Sequence, residues 1–171
     1  MRRSRGLLAA LTAVALGLTG AVVVTPPAAA DTRLLAHYPL QESSGTVAVD
    51  GSGSGKDATY VGAPTLTGAE GVRLDGSDDH VKLPDNILAG LSSITVSAEV
   101  LIRQDQATPY FIWGLGTPAT SNSGNGYLFT TGNAYRGTIS PNNWQGEQNT
   151  TSGQDLPRGV WKTLTYTLDD A

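Results

Sequence analysis

The side chains here that could do chemistry are fifteen acids, two histidines and a cluster of aromatic rings. There is no cysteine, which excludes thiol nucleophiles and cysteine-based zinc sites. Retaining hydrolysis of a glycosidic bond needs two carboxylates about 5–5.5 Å apart. Acidic residues alternating along one strand would supply such a pair. Glu42, Glu70, Glu99 and Glu147 are instead isolated, and Glu99 runs straight into Val100-Leu101-Ile102. His37 and His80 have no Gly-x-Ser-x-Gly nucleophile motif to serve and read as strand-surface residues. The sequence therefore carries no catalytic constellation.

Two binding chemistries remain. Hard cations take carboxylate and carbonyl oxygens from loops. Asp50, the carbonyls of Gly51 to Gly55, and Asp57 form a calcium half-site on that logic. Asp75, Asp78 and Asp79 are the densest acidic group, but turn capping through their own backbone N–H groups explains Asp75 and Asp78 better. The second chemistry is carbohydrate recognition, in which sugar C–H faces stack on rings and hydroxyls pair with amides and carboxylates. Tyr110, Trp113, Tyr127, Tyr135 and Trp144 fall within a short stretch, and Asn142, Asn143, Gln145 and Gln148 flank Trp144. Trp144, Tyr135, Tyr127 and Asn143 are the expected ligand contacts. Core packing is the competing role for aromatic residues, and it is the expectation for Phe111, Phe129 and Trp161.

The elements that must position these residues are strands. Ile94, Val96, Ala98, Val100 and Ile102 alternate with Thr95, Ser97 and Glu99, a period of two that predicts a half-buried strand. Leu164, Tyr166 and Leu168 alternate with threonines in the same way. Leu34, Ala36, Tyr38 and Leu40 predict an opening strand. Val72-Leu74 and Val81-Leu83 predict two more. Tyr110–Trp113 and Tyr127–Phe129, apolar on both faces, predict covered strands, and Leu88 to Leu91 predicts one helical turn. Between the runs stand turn-forming segments such as Asp50-Gly-Ser-Gly-Ser-Gly55 and Asp75-Gly-Ser-Asp78. Short strands at this spacing predict an all-β fold, an antiparallel β-sandwich of the jelly-roll kind.

Residues 1–30 stand apart from this pattern. Arg2, Arg3 and Arg5 precede an uncharged run from Leu7 to Val24, and Ala28-Ala29-Ala30 closes it. That is the three-part form of a secretory signal peptide, with cleavage expected after Ala30 and no membrane insertion of the product. The whole chain has 11 basic and 15 acidic residues, a net charge of −4. Loss of the three signal-peptide arginines takes it to −7 over residues 31–171. Such a chain is not a nucleic-acid binder of the basic-patch kind, nor does it dock electrostatically on anionic lipid. A secreted domain without cysteine must rely on its core, with or without a metal ion.

At this point the residues resemble a family. Leu35-Ala-His-Tyr-Pro-Leu-Gln-Glu-Ser-Ser-Gly45, the Asp- and Gly-rich loop Asp50–Asp57, the segment Gly71–Pro84 read as a hairpin, Ile94–Val100 and Val160–Leu168 follow one another as in laminin-G-like, concanavalin-A-like jelly-roll modules of secreted bacterial proteins. Two positions depart from that pattern, Glu99 where tryptophan is common and Ala58 where glycine is common. The resemblance implies one such domain over residues 31–171, incomplete at its C-terminus, since the modules continue for several strands beyond Leu168. It implies calcium near the Asp50 loop, with a glycan or polysaccharide as partner. It also implies a non-catalytic binding or interaction module from the N-terminal part of a larger extracellular protein, with a glycoside hydrolase domain downstream. The alternatives are a structural spacer of such a hydrolase and a cell-surface adhesive module that binds protein.

Overall fold

The structure is a computed structural model that describes residues 33–116, 126–141 and 146–169. Eleven strands are seen among them: β1 (Val47–Ala48), β2 (Ala58–Val61), β3 (Thr65–Leu66), β4 (Val72–Arg73), β5 (His80–Lys82), β6 (Ile94–Leu101), β7 (Phe111–Gly116), β8 (Tyr127–Thr131), β9 (Arg136–Ser140), β10 (Gln148–Thr150) and β11 (Trp161–Leu168). Every ladder between these strands is antiparallel, and one isolated parallel bridge joins Ile102 to Arg158. Two short 3-10 turns, Gly68–Glu70 and Asn133–Tyr135, are the helical content of the described residues, and no helix among them is long and apolar enough to cross a membrane.

The strongest period-two segments form the longest ladder. β6 and β11 pair without a register break from Trp161 opposite Leu101 to Leu168 opposite Ile94. Residues directly opposite in an antiparallel pair share a face. Val96, Ala98, Leu164, Tyr166 and Leu168 therefore point one way, with Thr95, Ser97, Thr165 and Thr167 the other. On that outer face Thr95 meets Thr167 and Ser97 meets Thr165, each hydroxyl pair at 3.0 Å.

The second sheet has the order β10-β9-β8-β7. Its inner face packs on β11, where the Trp113 ring stands edge-on to Tyr166 with centroids 5.9 Å apart. Gly137 makes the approach possible, because a Cβ there would come within 2.2 Å of Tyr166 Cε2. Two sheets meeting through alternating inner faces make this a β-sandwich. A third sheet, β1-β2-β5, buries Ala48, Ala58 and Tyr60 under Tyr38, Leu40, Leu66, Val72, Val81 and Leu83.

Four expectations are corrected. Leu34 to Leu40 is not a strand. Its polar groups go to the following loop instead: His37 N–H donates to Asp50 Oδ1 at 2.9 Å, and its carbonyl accepts from Gly51 N–H at 2.7 Å. The Val72 and Val81 strands do not form a hairpin with each other, since β4 pairs with β3 and β5 with β2. Phe111 and Trp161 are not core residues: they are 61 % and 57 % exposed. A bulge between Phe111 and Trp113 turns Phe111 outward while Trp113 stays inside. Trp161 lies on the threonine face of β11, opposite the exposed Leu101. Phe129 is buried as expected, and its neighbour Leu128 is buried on the other face. Leu88 to Leu91 closes one turn through Leu91 N–H to the Leu88 carbonyl at 3.1 Å.

Candidate functional site

The face of the four-stranded sheet that looks away from β11 collects the binding chemistry. Register places Tyr127 opposite Ser140, Phe129 opposite Thr138 and Thr131 opposite Arg136, with Asn149 opposite Thr138 on the far side. All of these share one face. Gly114 and Gly116 of β7 lie beside Phe129 and Tyr127 on the same face and are exposed. Phe111 stands at the edge of this surface, its ring 5.0 Å from that of Phe129, and Phe129 is 5.3 Å from Tyr127.

A chain of polar contacts crosses the rings. The Tyr127 hydroxyl donates to Glu147 Oε1. Glu147 Oε2 accepts from Arg136 Nη2 at 2.6 Å. Arg136 Nε donates to Asn149 Oδ1 at 2.9 Å, and the same oxygen accepts from Thr138 Oγ1 at 2.5 Å. The guanidinium lies over the Phe129 ring, 5.3 Å from its centroid, and so covers both that ring and Thr138, which is fully buried. This ion pair is partly buried, with side chains 33 % and 18 % exposed. Such a pair is well enough shielded to hold its geometry, whereas exposed pairs such as Arg73–Glu70 contribute little. An apolar groove of about 510 Å3 lies next to Tyr127, between Leu88, Leu91, Ile94, Ile139 and Leu168.

The expected ligand contacts divide accordingly. Tyr127 is in this network. Tyr135 sits in the 3-10 turn that joins β8 to β9, at the other end of the hairpin, about 13 Å along the strand. The structure does not bring these two tyrosines together. Asn143 and Trp144 lie outside the described residues; the strand residue before them, Ser140, and Glu147 after them flank Tyr127. Arg136, Glu147 and Asn149 were missed as site residues. Their spacing is silent because Arg136 and Asn149 come from two strands and Glu147 immediately precedes β10, and only the β9–β10 pairing brings them together. Of the isolated glutamates, Glu42 takes the Tyr60 hydroxyl at 2.6 Å and Val49 N–H at 2.9 Å, while Glu99 points out from β6 opposite Thr163. No second carboxylate stands at the described strand positions of this face, so the paired-acid geometry is absent there.

Asp50 and Asp57 are adjacent, as the calcium reading requires, but Asp50 is already committed. Its Oδ1 accepts from His37 N–H and Ser52 N–H, both at 2.9 Å. Its Oδ2 accepts from Ser52 Oγ at 2.9 Å, Ser54 Oγ at 2.8 Å and Lys56 N–H at 3.0 Å. Asp57 Oδ1 holds the Asp50 N–H at 2.8 Å. A carboxylate offers about four lone-pair sites, so five donors saturate it. The His37 backbone bond, then the Ser52 hydroxyl, hold its pKa far below the usual carboxylate range. A cation would have to displace these donors, and the donor set does not fit a resident calcium. The Gly-Ser-Gly-Ser-Gly run explains the geometry: serines at 52 and 54 reach back to Asp50, and Gly53 and Gly55 take positive φ of 82° and 70°.

Asp75, Asp78 and Asp79 bring carboxylate oxygens within 4.8 Å of one another. Asp75 Oδ1 accepts from Ser77 N–H at 2.7 Å, and Asp79 accepts from Ala63 N–H at 2.7 Å and Asp75 N–H at 3.1 Å. These are the turn-capping bonds expected of such residues, and they tie this turn to the β2–β3 connection. A shallow cleft of about 540 Å3 beside it is lined by Arg73, Arg103 and the three aspartates.

The laminin-G family model described as the concanavalin A-like lectin/glucanases superfamily matches residues 75–171. That span runs from the Asp75 turn through β11 and contains every strand of the sheet that carries the polar network. No curated protein and no solved structure matches the chain.

Proposed function

The chain belongs to the concanavalin A-like lectin/glucanases superfamily, and from that premise we propose that it is a secreted, non-catalytic carbohydrate-binding module. Glycan contacts the outer face of the β7 to β10 sheet where it is open, at Phe111, Gly114 and Gly116 and over the partly exposed Arg136–Glu147 pair, while Phe129, Thr131, Thr138 and Ser140 lie buried beneath. The observation that carries this reading is the exposed Phe111 ring, set beside the Tyr127–Glu147–Arg136–Asn149 chain on one sheet face. A ring offers a stacking platform, and the polar chain offers paired donors and acceptors for hydroxyls. Gly114 and Gly116 leave the β7 backbone open between them.

Secretion rests on the N-terminal arginines, the uncharged run and the Ala28–Ala30 box. A downstream glycoside hydrolase domain is the setting the family resemblance suggests. The second reading, an adhesive module that binds protein, is favoured by the apolar corner of Val160, Trp161 and Leu101 on the opposite sheet. A spacer without ligand is the third.

A glycan panel tests the proposal. Phe111→Ala should weaken binding by about 1–3 kcal/mol, borrowing the scale measured for bases stacked on aromatic residues. The melting temperature should hardly move, because the ring is mostly outside. Affinity that survives Phe111→Ala unchanged would remove this face from the reading.

A further inference from the structure

We infer that the Arg136–Glu147 pair makes this face selective for neutral glycans over acidic ones. The inference rests on the carbohydrate reading above. Arg136 is the cation that reaches the centre of the face, and its charge is matched there by Glu147 at 2.6 Å. Its Nε is taken by Asn149 at 2.9 Å and its plane covers Phe129. What it retains for a ligand is N–H donors without net charge. Glu147 uses one lone pair on each oxygen, for Tyr127 and for Arg136, and keeps acceptor capacity on both.

A sugar hydroxyl donates and accepts at once, so a neutral glycan can satisfy both members of the pair without breaking it. A uronate or sulfate cannot. It could reach the remaining guanidinium N–H groups only by setting its own charge beside the Glu147 carboxylate, against a cation whose charge is already matched. The background field works in the same direction, since residues 31–171 carry a net charge of −7, the −4 of the whole chain less Arg2, Arg3 and Arg5. Charge complementarity therefore selects an uncharged partner.

The secreted chain should be titrated with neutral oligosaccharides (xylohexaose, cellohexaose, mannohexaose) and acidic ones (trigalacturonate, a heparin hexasaccharide) in low and high salt. A neutral member should bind at least about tenfold tighter than any acidic one, with an affinity that does not change between about 20 mM and about 0.5 M salt. Glu147→Gln should release the Arg136 charge and raise affinity for the acidic set by about tenfold at low salt. If that variant does not fold, the salt titration of the unaltered chain still decides. Tighter binding of an acidic glycan, weakened by salt, would overturn the charge assignment while leaving the carbohydrate reading in place. Failure of every oligosaccharide to bind would overturn both.

Discussion

Asp50 is a carboxylate whose five donors come from His37, Ser52, Ser54 and Lys56, so its removal should loosen the whole segment from residue 35 to residue 57. Asp50→Ala should lower the melting temperature more than Asp75→Ala, whose carboxylate holds an exposed turn. The pH dependence follows from the direction of the shift. The folded pKa lies below the unfolded value of about 3.9, so the contribution is complete above about pH 4. It is lost progressively as pH falls from there toward the folded value. Acid melts of the unaltered chain and of Asp50→Ala should therefore converge at low pH; curves that stay equally far apart down to about pH 2 would refute the linkage. Thr130 makes the opposite case. Its Oγ1 is buried without a hydrogen-bond partner, in a residue only 2 % exposed. Thr130→Val removes an unsatisfied group at nearly constant shape and should raise stability by about 1–2 kcal/mol, read as a higher melting temperature; a fall would show that the hydroxyl is bonded. At this scale the sequence was legible where chemistry is local. The Asx turn at Asp75 follows from its own neighbours. The saturation of Asp50 does not, because one of its donors comes from His37, thirteen residues away.

Strand alternation carried the element-level reading furthest. β6 and β11 are pure period-two segments, and their inward and outward residues were assigned correctly except for Trp161. Its parity with Thr163, Thr165 and Thr167 places it outside, against the core role expected of a large aromatic ring. Phe111 is a different failure. Simple alternation puts Phe111 and Trp113 on the same face, and the bulge that separates them has no mark in the sequence. The opening run was misread because period two describes side chains and not hydrogen bonds, and its backbone bonds go to the Asp50 loop. The contact between sheets gives a sharp test. A Cβ at Gly137 would come within 2.2 Å of Tyr166 Cε2 and 3.2 Å of Thr150 Oγ1. Tyr166 is also packed against Trp113, so the ring has little room to retreat. Gly137→Ala should cost about 1–3 kcal/mol as an overpacked core site, measured by denaturant unfolding. A neutral result would mean that the two sheets are not held this closely. The same register that creates the contact also aligns Arg136 with Glu147 and Asn149, which is why the candidate site could not be seen before the β8–β9–β10 pairing was known.

For the whole molecule the governing quantities are charge and export. Arg2, Arg3 and Arg5 are three of eleven basic residues, and none of the fifteen acids lies before Asp31. A basic start, an uncharged run and a small-residue box form the pattern expected of an exported leader. Residues 31–171 are by contrast acidic and free of cysteine, and the outer face of the β6–β11 ladder carries threonine and serine pairs. A domain of that kind needs no disulfide-forming compartment to fold, and its negative charge favours staying in solution over adhering to anionic surfaces. Two statements then stand or fall together. The leader should be removed between Ala30 and Asp31, and the rest of the chain should be released into the medium. Mass spectrometry of the medium of an expressing culture should show Asp31 at the N-terminus. Recovery of chains that keep Met1, in a membrane fraction, would show that the uncharged run is an anchor and would move the proposed binding face to the cell surface.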